Sequence, residues 1–162
     1  MQNVECRTNR QILIALVSAV ACLPFTTNLS AAEAEFKLET LRGRVVYLAQ
    51  AFEKSTAVPS VPEANDRILA LATAQGQLIP LLEDVRGRAF RRDERLRKME
   101  LELLVRHYPN SPVVQVIRVF EIAKDGRFEL DYWCDICAIA MFELKDCECC
   151  QGPTTLRRRK VD

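Results

Sequence analysis

The sequence predicts a mainly β protein: a small antiparallel barrel with one short helix between its third and fourth strands, followed by a C-terminal cysteine-rich hairpin. Three observations predict it. Short runs of aliphatic, β-branched and aromatic residues recur along the chain, separated by turn residues. The longest, VVQVIRVFEI at Val113–Ile122, alternates with Val114, Val116, Phe120 and Ile122 on one face and Val113, Ile117 and Val119 on the other, as a central strand would. Five of the seven cysteines fall between Cys134 and Cys150.

The 162 residues are enough for one domain, and the hydrophobic and charged fractions of 49% and 28% are those of a folded protein. A net charge of +1 excludes a globally basic nucleic-acid binder and an acidic disordered chain. The N-terminus has the pattern of an export signal. Arg7 and Arg10 precede the apolar run Ile12–Phe25, and Ser30-Ala31-Ala32 and Ala32-Glu33-Ala34 offer small-x-small cleavage sites. Residues 1–34 are therefore expected to be a signal peptide, cleaved after Ala34. The run is shorter than the roughly 20 residues that cross a bilayer. The alternatives are an uncleaved N-terminal anchor and lipidation at Cys22, where Ala19-Val20-Ala21-Cys22 weakly resembles a lipobox. No later apolar segment is long enough to span a membrane, so the mature chain is expected to be periplasmic or secreted.

Arg44–Leu48 reads as the first strand, and KSTAVPSVPEAND, with Pro59 and Pro62, as a loop. Arg67–Thr73 and Leu78–Leu82 flank a Gly76-containing turn and read as a hairpin, its second strand placed at an edge or bulge by Pro80. Phe90–Met99 is expected to be a short helix or ordered loop. Leu101–Tyr108 is a strand, Pro109–Pro112 a turn, Val113–Ile122 a strand, Asp125-Gly126 a hairpin turn and Phe128–Trp133 a further strand. The order strand-strand-strand-helix-strand-strand over roughly Leu41–Ile122 resembles an OB-like barrel; an SH3-like barrel or an irregular sheet fits the same pattern. The expected organisation is a barrel domain over 35–130, a cysteine hairpin over 131–152 and a basic, mobile tail over 153–162.

Cys134 and Cys137 form one C-x2-C, and Cys147 and Cys150 a second, with Cys149 inside it. A tetrahedral thiolate site needs two such pairs brought together by a hairpin, which AIAMFELKD can supply. The spacing resembles a compact zinc ribbon or rubredoxin-type hairpin, here of an exported bacterial type. That resemblance implies metal ligands at Cys134, Cys137, Cys147 and Cys150, with Cys149 as an alternative ligand. It departs from the pattern at Ala138, where glycine is frequent. Zinc is the expected metal, with iron and copper(I) as alternatives for a soft sulfur set. A c-type haem is disfavoured because Ala138, not histidine, follows Cys137. Disulfides compete, because export favours them, but five mature cysteines cannot all pair within one chain. A reactive dithiol also competes. The acidic Asp135, Asp146 and Glu148 oppose the lowered thiol pKa that it needs and would instead draw a cation.

Arg86–Lys98 carries seven basic and two acidic residues. Arg86, Arg88, Arg91, Arg92 and Arg95 are candidate contacts for a partner protein or an anionic envelope polymer. Equally, they form a solvated face paired with Glu83, Asp84, Asp93 and Glu94. Nucleic acid is a poor partner for an exported chain. Arg157–Lys160 is either a solubilising tail or a contact for anionic lipid or polymer. Tyr132 and Trp133 either shield the sulfurs or pack in the core. With His107 as the only histidine, no catalytic constellation is visible. The expected function is an exported, non-enzymatic binding or interaction module with a structural tetracysteine metal site. The alternative is an envelope thiol protein acting in redox chemistry or in copper or zinc carriage.

Overall fold

The computed structural model describes residues 35–161. The expected signal segment, with its cleavage site and Cys22, lies outside the described residues. The described chain is a mostly β structure of eight strands with three short α-helices. In order these are β1 (Lys37–Tyr47), α1 (Leu48–Thr56), β2 (Leu69–Ala72), β3 (Leu78–Pro80), α2 (Val85–Arg92), α3 (Glu94–Lys98), β4 (Leu101–His107), β5 (Val114–Ala123), β6 (Gly126–Cys134), β7 (Ile139–Met141) and β8 (Thr155–Val161). The strands pair antiparallel in the order β3-β2-β1-β4-β5-β6-β7, and β8 pairs with β6. No helix among the described residues is long and apolar enough to cross a membrane.

The expected barrel is corrected to an open sheet. Between its two arms only one parallel bridge forms, Leu81 to Val114. The three-residue β3 ends at Pro80, which has no N–H to continue a ladder. The single expected helix between the third and fourth strands is two. Asp84 caps α2 by accepting from the N–H groups of Arg86 and Gly87 at 3.1 and 3.0 Å. Asp93 caps α3 through the N–H of Arg95. Gly87 is required in α2, because a Cβ there would lie 2.0 Å from the Leu82 carbonyl oxygen. The helices contribute Ala89, Phe90 and Leu96 to the core, which also includes Val45, Leu69, Leu71, Leu101, Leu103, Val105, Val114, Val116 and Val119 from the sheet.

Three further expectations change. Leu48 does not end β1; it begins α1, whose Ala-Gln-Ala-Phe-Glu-Lys run is made of helix formers with one aromatic. The alternation expected along β5 slips at a bulge. Leu104 pairs with Arg118 and Val105 with Val116, so Ile117 has no partner. Val116 and Val119 therefore both belong to the core, and Phe120 pairs on the other face, stacked beneath the Arg127 guanidinium at 3.6 Å.

The third change concerns the polar C-terminus. Where a mobile tail is expected, Thr155–Val161 forms β8 against β6, in the register Trp133–Thr155 through Arg127–Val161. Its arginines are fixed by the acidic residues of β5 and β6. Arg157 binds the buried Asp131 through two hydrogen bonds of 2.8 and 2.7 Å and stacks on Trp133 at 3.7 Å. Arg159 reaches Glu129 at 2.9 Å, and Arg158 reaches Glu121 at 2.5 Å.

Candidate metal centre

The end of β6 organises the cysteines. Cys134 is its last residue, and β7 returns antiparallel along one edge, with Tyr132 opposite Met141 and Cys134 opposite Ile139. β8 lies along the other edge. The chain between β7 and β8 carries Cys147, Cys149 and Cys150, so both C-x2-C pairs meet at one end of one strand. The loop is closed by Thr154, whose hydroxyl donates to the Lys145 carbonyl at 2.7 Å, and by the Cys147 N–H, which donates to the Gly152 carbonyl at 2.8 Å.

The two knuckles have the same local geometry. In the first, the Ala138 N–H donates to the Cys134 carbonyl at 2.8 Å; in the second, the Gln151 N–H donates to the Cys147 carbonyl at 2.9 Å. Ala138 and Gln151 are both left-handed, at φ 53° and 59°. The N–H groups two and three residues on favour the thiolate of each leading cysteine, Ile136 and Cys137 for Cys134, and Cys149 and Cys150 for Cys147, and the Gly152 N–H donates to Cys150 Sγ at 3.4 Å. Backbone donors aimed at sulfur are what a bound thiolate needs. Gly152 closes the second knuckle without strain in φ; a Cβ there would meet Ile136 Cδ1 at 3.0 Å and Cys150 Sγ at 3.3 Å.

The Sγ atoms of Cys134, Cys137, Cys147 and Cys150 all lie within 4.8 Å of one another. Those of Cys134 and Cys150 are 3.5 Å apart. Four bonds of about 2.3 Å in a tetrahedron separate sulfurs by roughly 3.8 Å, so the group is the right size for one ion. Cys134 and Cys147 are fully buried in the core cluster, and Cys137 and Cys150 pack against it half-buried. The five cysteines among the described residues are not in disulfides, and Cys149 is exposed and outside the group of four. The donor set is all sulfur and suits zinc, iron or copper(I).

Without metal, the thiols share their protons unequally. The N–H of Cys150, with that of Cys149 and the sulfurs of Cys134 and Cys150, outweighs burial and draws Cys147 down to about 7. Cys137 is pushed far up, first by the sulfur of Cys149, then by that of Cys150 and by burial. At Cys134 the N–H of Cys137 pulls down, but burial and the neighbouring sulfurs of Cys147 and Cys150 win, and the thiol is raised. An incoming cation must displace those protons.

Contacts that no spacing pattern reveals hold the hairpin to the body. Glu143 is buried and accepts from Arg88 of α2 at 2.5 and 2.7 Å, with Lys145 at 3.0 Å. Arg86 lies 3.5 Å over the Phe142 ring. Tyr132 donates its hydroxyl to Asp93 at 2.9 Å, so the strand leading to Cys134 is tied to the cap of α3. Burial, then the Asp93 contact, push the Tyr132 hydroxyl far above its ordinary pKa. The only sequence sign of these ties is an acidic residue, Glu143, inside an apolar run. Of the candidate partner-binding arginines, Arg86 and Arg88 thus face the hairpin. Arg91 pairs with Glu83 and reaches the carbonyls of Asp66 and Arg67, and Arg95 pairs with Asp93. Arg92 is exposed and makes no ion pair among the described residues. His107 stands apart from the cysteines in β4, 3.4 Å from Glu39.

The fold and site define the class of the protein: a mostly antiparallel β-sheet carrying a four-cysteine cluster able to hold a metal ion. No protein-family model, curated protein or solved structure matches the chain.

Proposed function

We propose that the chain is an exported, non-enzymatic interaction module of OB-like topology whose C-terminal hairpin is locked by one tetrahedral zinc ion. The observation that carries the metal reading is the convergence of four cysteine sulfurs within 4.8 Å, two of them fully buried. Zinc fits best among the soft ions because four thiolates on two C-x2-C knuckles make a closed site with no position for substrate, as structural zinc has. Closure of this kind suits a hairpin whose strand β7 spans only three residues, because metal binding supplies the folding free energy that its small burial does not. Support for the OB-like topology comes from β1 pairing with both β2 and β4, from the helices between β3 and β4, and from the parallel bridge of Leu81 to Val114. The export reading rests on the N-terminal pattern, and the interaction role, with a protein or an anionic envelope polymer, on the absence of any catalytic grouping in the sequence.

Elemental analysis combined with thiol titration tests the metal reading. One zinc per chain is expected, with Cys149 reacting at once and four thiols reacting only after chelation. A metal-free protein with a stable disulfide, after loading with zinc under reducing conditions has been attempted, overturns it.

A further inference from the structure

We propose that the cleft between α1 and residues 57–68 binds a small carboxylate with an apolar body, of the kind a medium-chain fatty acid presents. The site shares no residue with the cysteine centre and does not depend on the metal reading. α1 turns Leu48, Ala49 and Phe52 to one side, at helical spacing. The chain then reverses at the left-handed Ala57 and returns through Val58, Pro59 and Ile68. Between these walls lies a cavity of about 380 Å³, within the range of small-ligand pockets, about 300–1,000 Å³. Phe52, Val58 and Ile68 remain 49%, 55% and 50% exposed, so the protein does not fill the cleft with its own side chains. Apolar surface gathered in one concavity is favourably covered by an apolar ligand.

Charge decides the class of ligand. Of the residues lining the cavity, Arg67 alone is charged. Its Nε donates to the Glu63 carbonyl at 2.9 Å, which orients the guanidinium and leaves the two terminal nitrogens to a ligand. No acidic residue pairs with it among the described residues, although Glu63 and Asp66 are close in sequence. Two parallel N–H groups match one carboxylate. A neutral ligand would leave that cation unmatched, and a polyanion would find no second one in the cleft. The remaining hydroxyl, that of Ser60, already donates to the Val61 carbonyl at 3.4 Å. The walls are also fixed before a ligand arrives. The Leu48 N–H donates to the Ile68 carbonyl at 2.8 Å, tying α1 to the returning chain. Arg91 of α2 holds the carbonyls of Asp66 and Arg67, the latter at 2.9 Å. Pro59 and Pro62 stiffen the segment between. A pre-formed cleft spends little binding energy on ordering.

The test titrates the full-chain protein with decanoate, kept below its micelle concentration, and with decanol as the uncharged counterpart. Amide NMR is expected to show saturable shifts at Leu48, Phe52, Val58 and Ile68, with one decanoate per chain. Decanol is expected to bind about fivefold more weakly, the worth of one exposed ion pair. Arg67→Gln should weaken decanoate by about the same factor and leave decanol unchanged. Phe52→Ser, at a half-exposed position, should weaken both ligands. Each variant's unfolding midpoint checks that it is folded, and the comparison of acid with alcohol on the parent protein decides the matter without any variant. Binding that does not saturate, equal affinity for acid and alcohol, or shifts confined to other residues overturns the inference. Shifts at the same amides that follow protein concentration would assign the cleft to a second copy of the chain. Shifts that appear only with phosphatidylglycerol vesicles would assign it to a membrane surface. Either result overturns the carboxylate site.

Discussion

Ala138 and Gln151 occupy the same place in the two knuckles, and both sit in the left-handed region where glycine is at ease. An L-residue with a Cβ there costs about 1–2 kcal/mol. Glycine removes that strain but adds about 0.4–1 kcal/mol of unfolded-state entropy to be lost on folding. Ala138→Gly is therefore expected to stabilise the protein by about 0.5–1 kcal/mol, the difference between the two terms. For a folded unit of this size, that raises the unfolding midpoint by roughly 2–4 °C. The measurement is thermal and urea unfolding of the zinc-loaded protein, followed by the fluorescence of Trp133, the only tryptophan and the neighbour of Cys134. Gly152→Ala is the opposing control. Its φ needs no glycine, but the added Cβ presses on Cys150 Sγ at 3.3 Å and on Ile136 Cδ1 at 3.0 Å. Ile136 is exposed and can yield; a metal-bound sulfur cannot. A loss of about 1–3 kcal/mol is expected from that crowding. If Ala138→Gly lowers the midpoint, or Gly152→Ala raises it, the knuckle geometry described here is wrong.

The remaining expectations concern charge, metal and the last strand. The Arg88 hydrogen bonds hold the Glu143 carboxyl below its ordinary pKa, against burial and with help from Lys145. A depressed carboxylate stabilises the fold fully above its unfolded pKa, about 4.3, and loses that contribution as pH falls through the lower folded value. Glu143→Gln should be less stable than parent at neutral pH, by about 1–3 kcal/mol, and the gap should narrow in acid. A gap that does not change between pH 7 and pH 3 would count against the ion pair. Chelation of the loaded protein should alter Trp133 fluorescence and expose amides of β7 to exchange while those of β4 and β5 stay protected; uniform loss of protection would mean that the centre supports the whole sheet. Asp131→Ala removes the carboxylate that binds Arg157 and lies 3.3 Å from Arg159, and β8 amides should then exchange faster than those of β6, unless the ladder alone holds the strand.

Much of this structure was legible in the residues, and the exceptions have physical causes. The hairpin of β2 and β3, the strands β4, β5 and β6, and the pairing of two C-x2-C units follow from local pattern: alternation, turn chemistry and spacing. The slip at Ile117 does not, because a bulge depends on the partner strand. α1 was hidden by the β-branched run that precedes it; the boundary at Tyr47–Leu48 falls where β1 ends its pairing with β2. β8 was hidden by charge. Arg157-Arg158-Arg159-Lys160 reads as a soluble tail when seen alone, but it is an edge strand once Asp131, Glu129 and Glu121 are set opposite it, and lysine and arginine are the residues expected on an edge. Closure of the barrel failed as an expectation because the order of elements fixes neighbours and not the number of bonds between the last pair.

The basic run of α2 and α3 shows why charge clusters mislead when read along the chain. Seven cations in thirteen residues suggest a surface awaiting an anion. In three dimensions Arg88 is spent on Glu143 and Arg86 on Phe142, two consecutive residues of the hairpin that leads to the second knuckle. From the other side, Tyr132 joins the strand leading to the first knuckle to Asp93, the residue between α2 and α3. The helices thus grip the hairpin just before each C-x2-C pair. Order imposed on the four sulfurs by a metal ion would pass through Phe142 and Glu143 into α2, and through Tyr132 into the cap of α3, and from Phe90 and Leu96 into the core. A metal held at the edge of the fold is in this way coupled to its centre, and removal of either Arg88 or Asp93 should weaken metal affinity without touching a ligand.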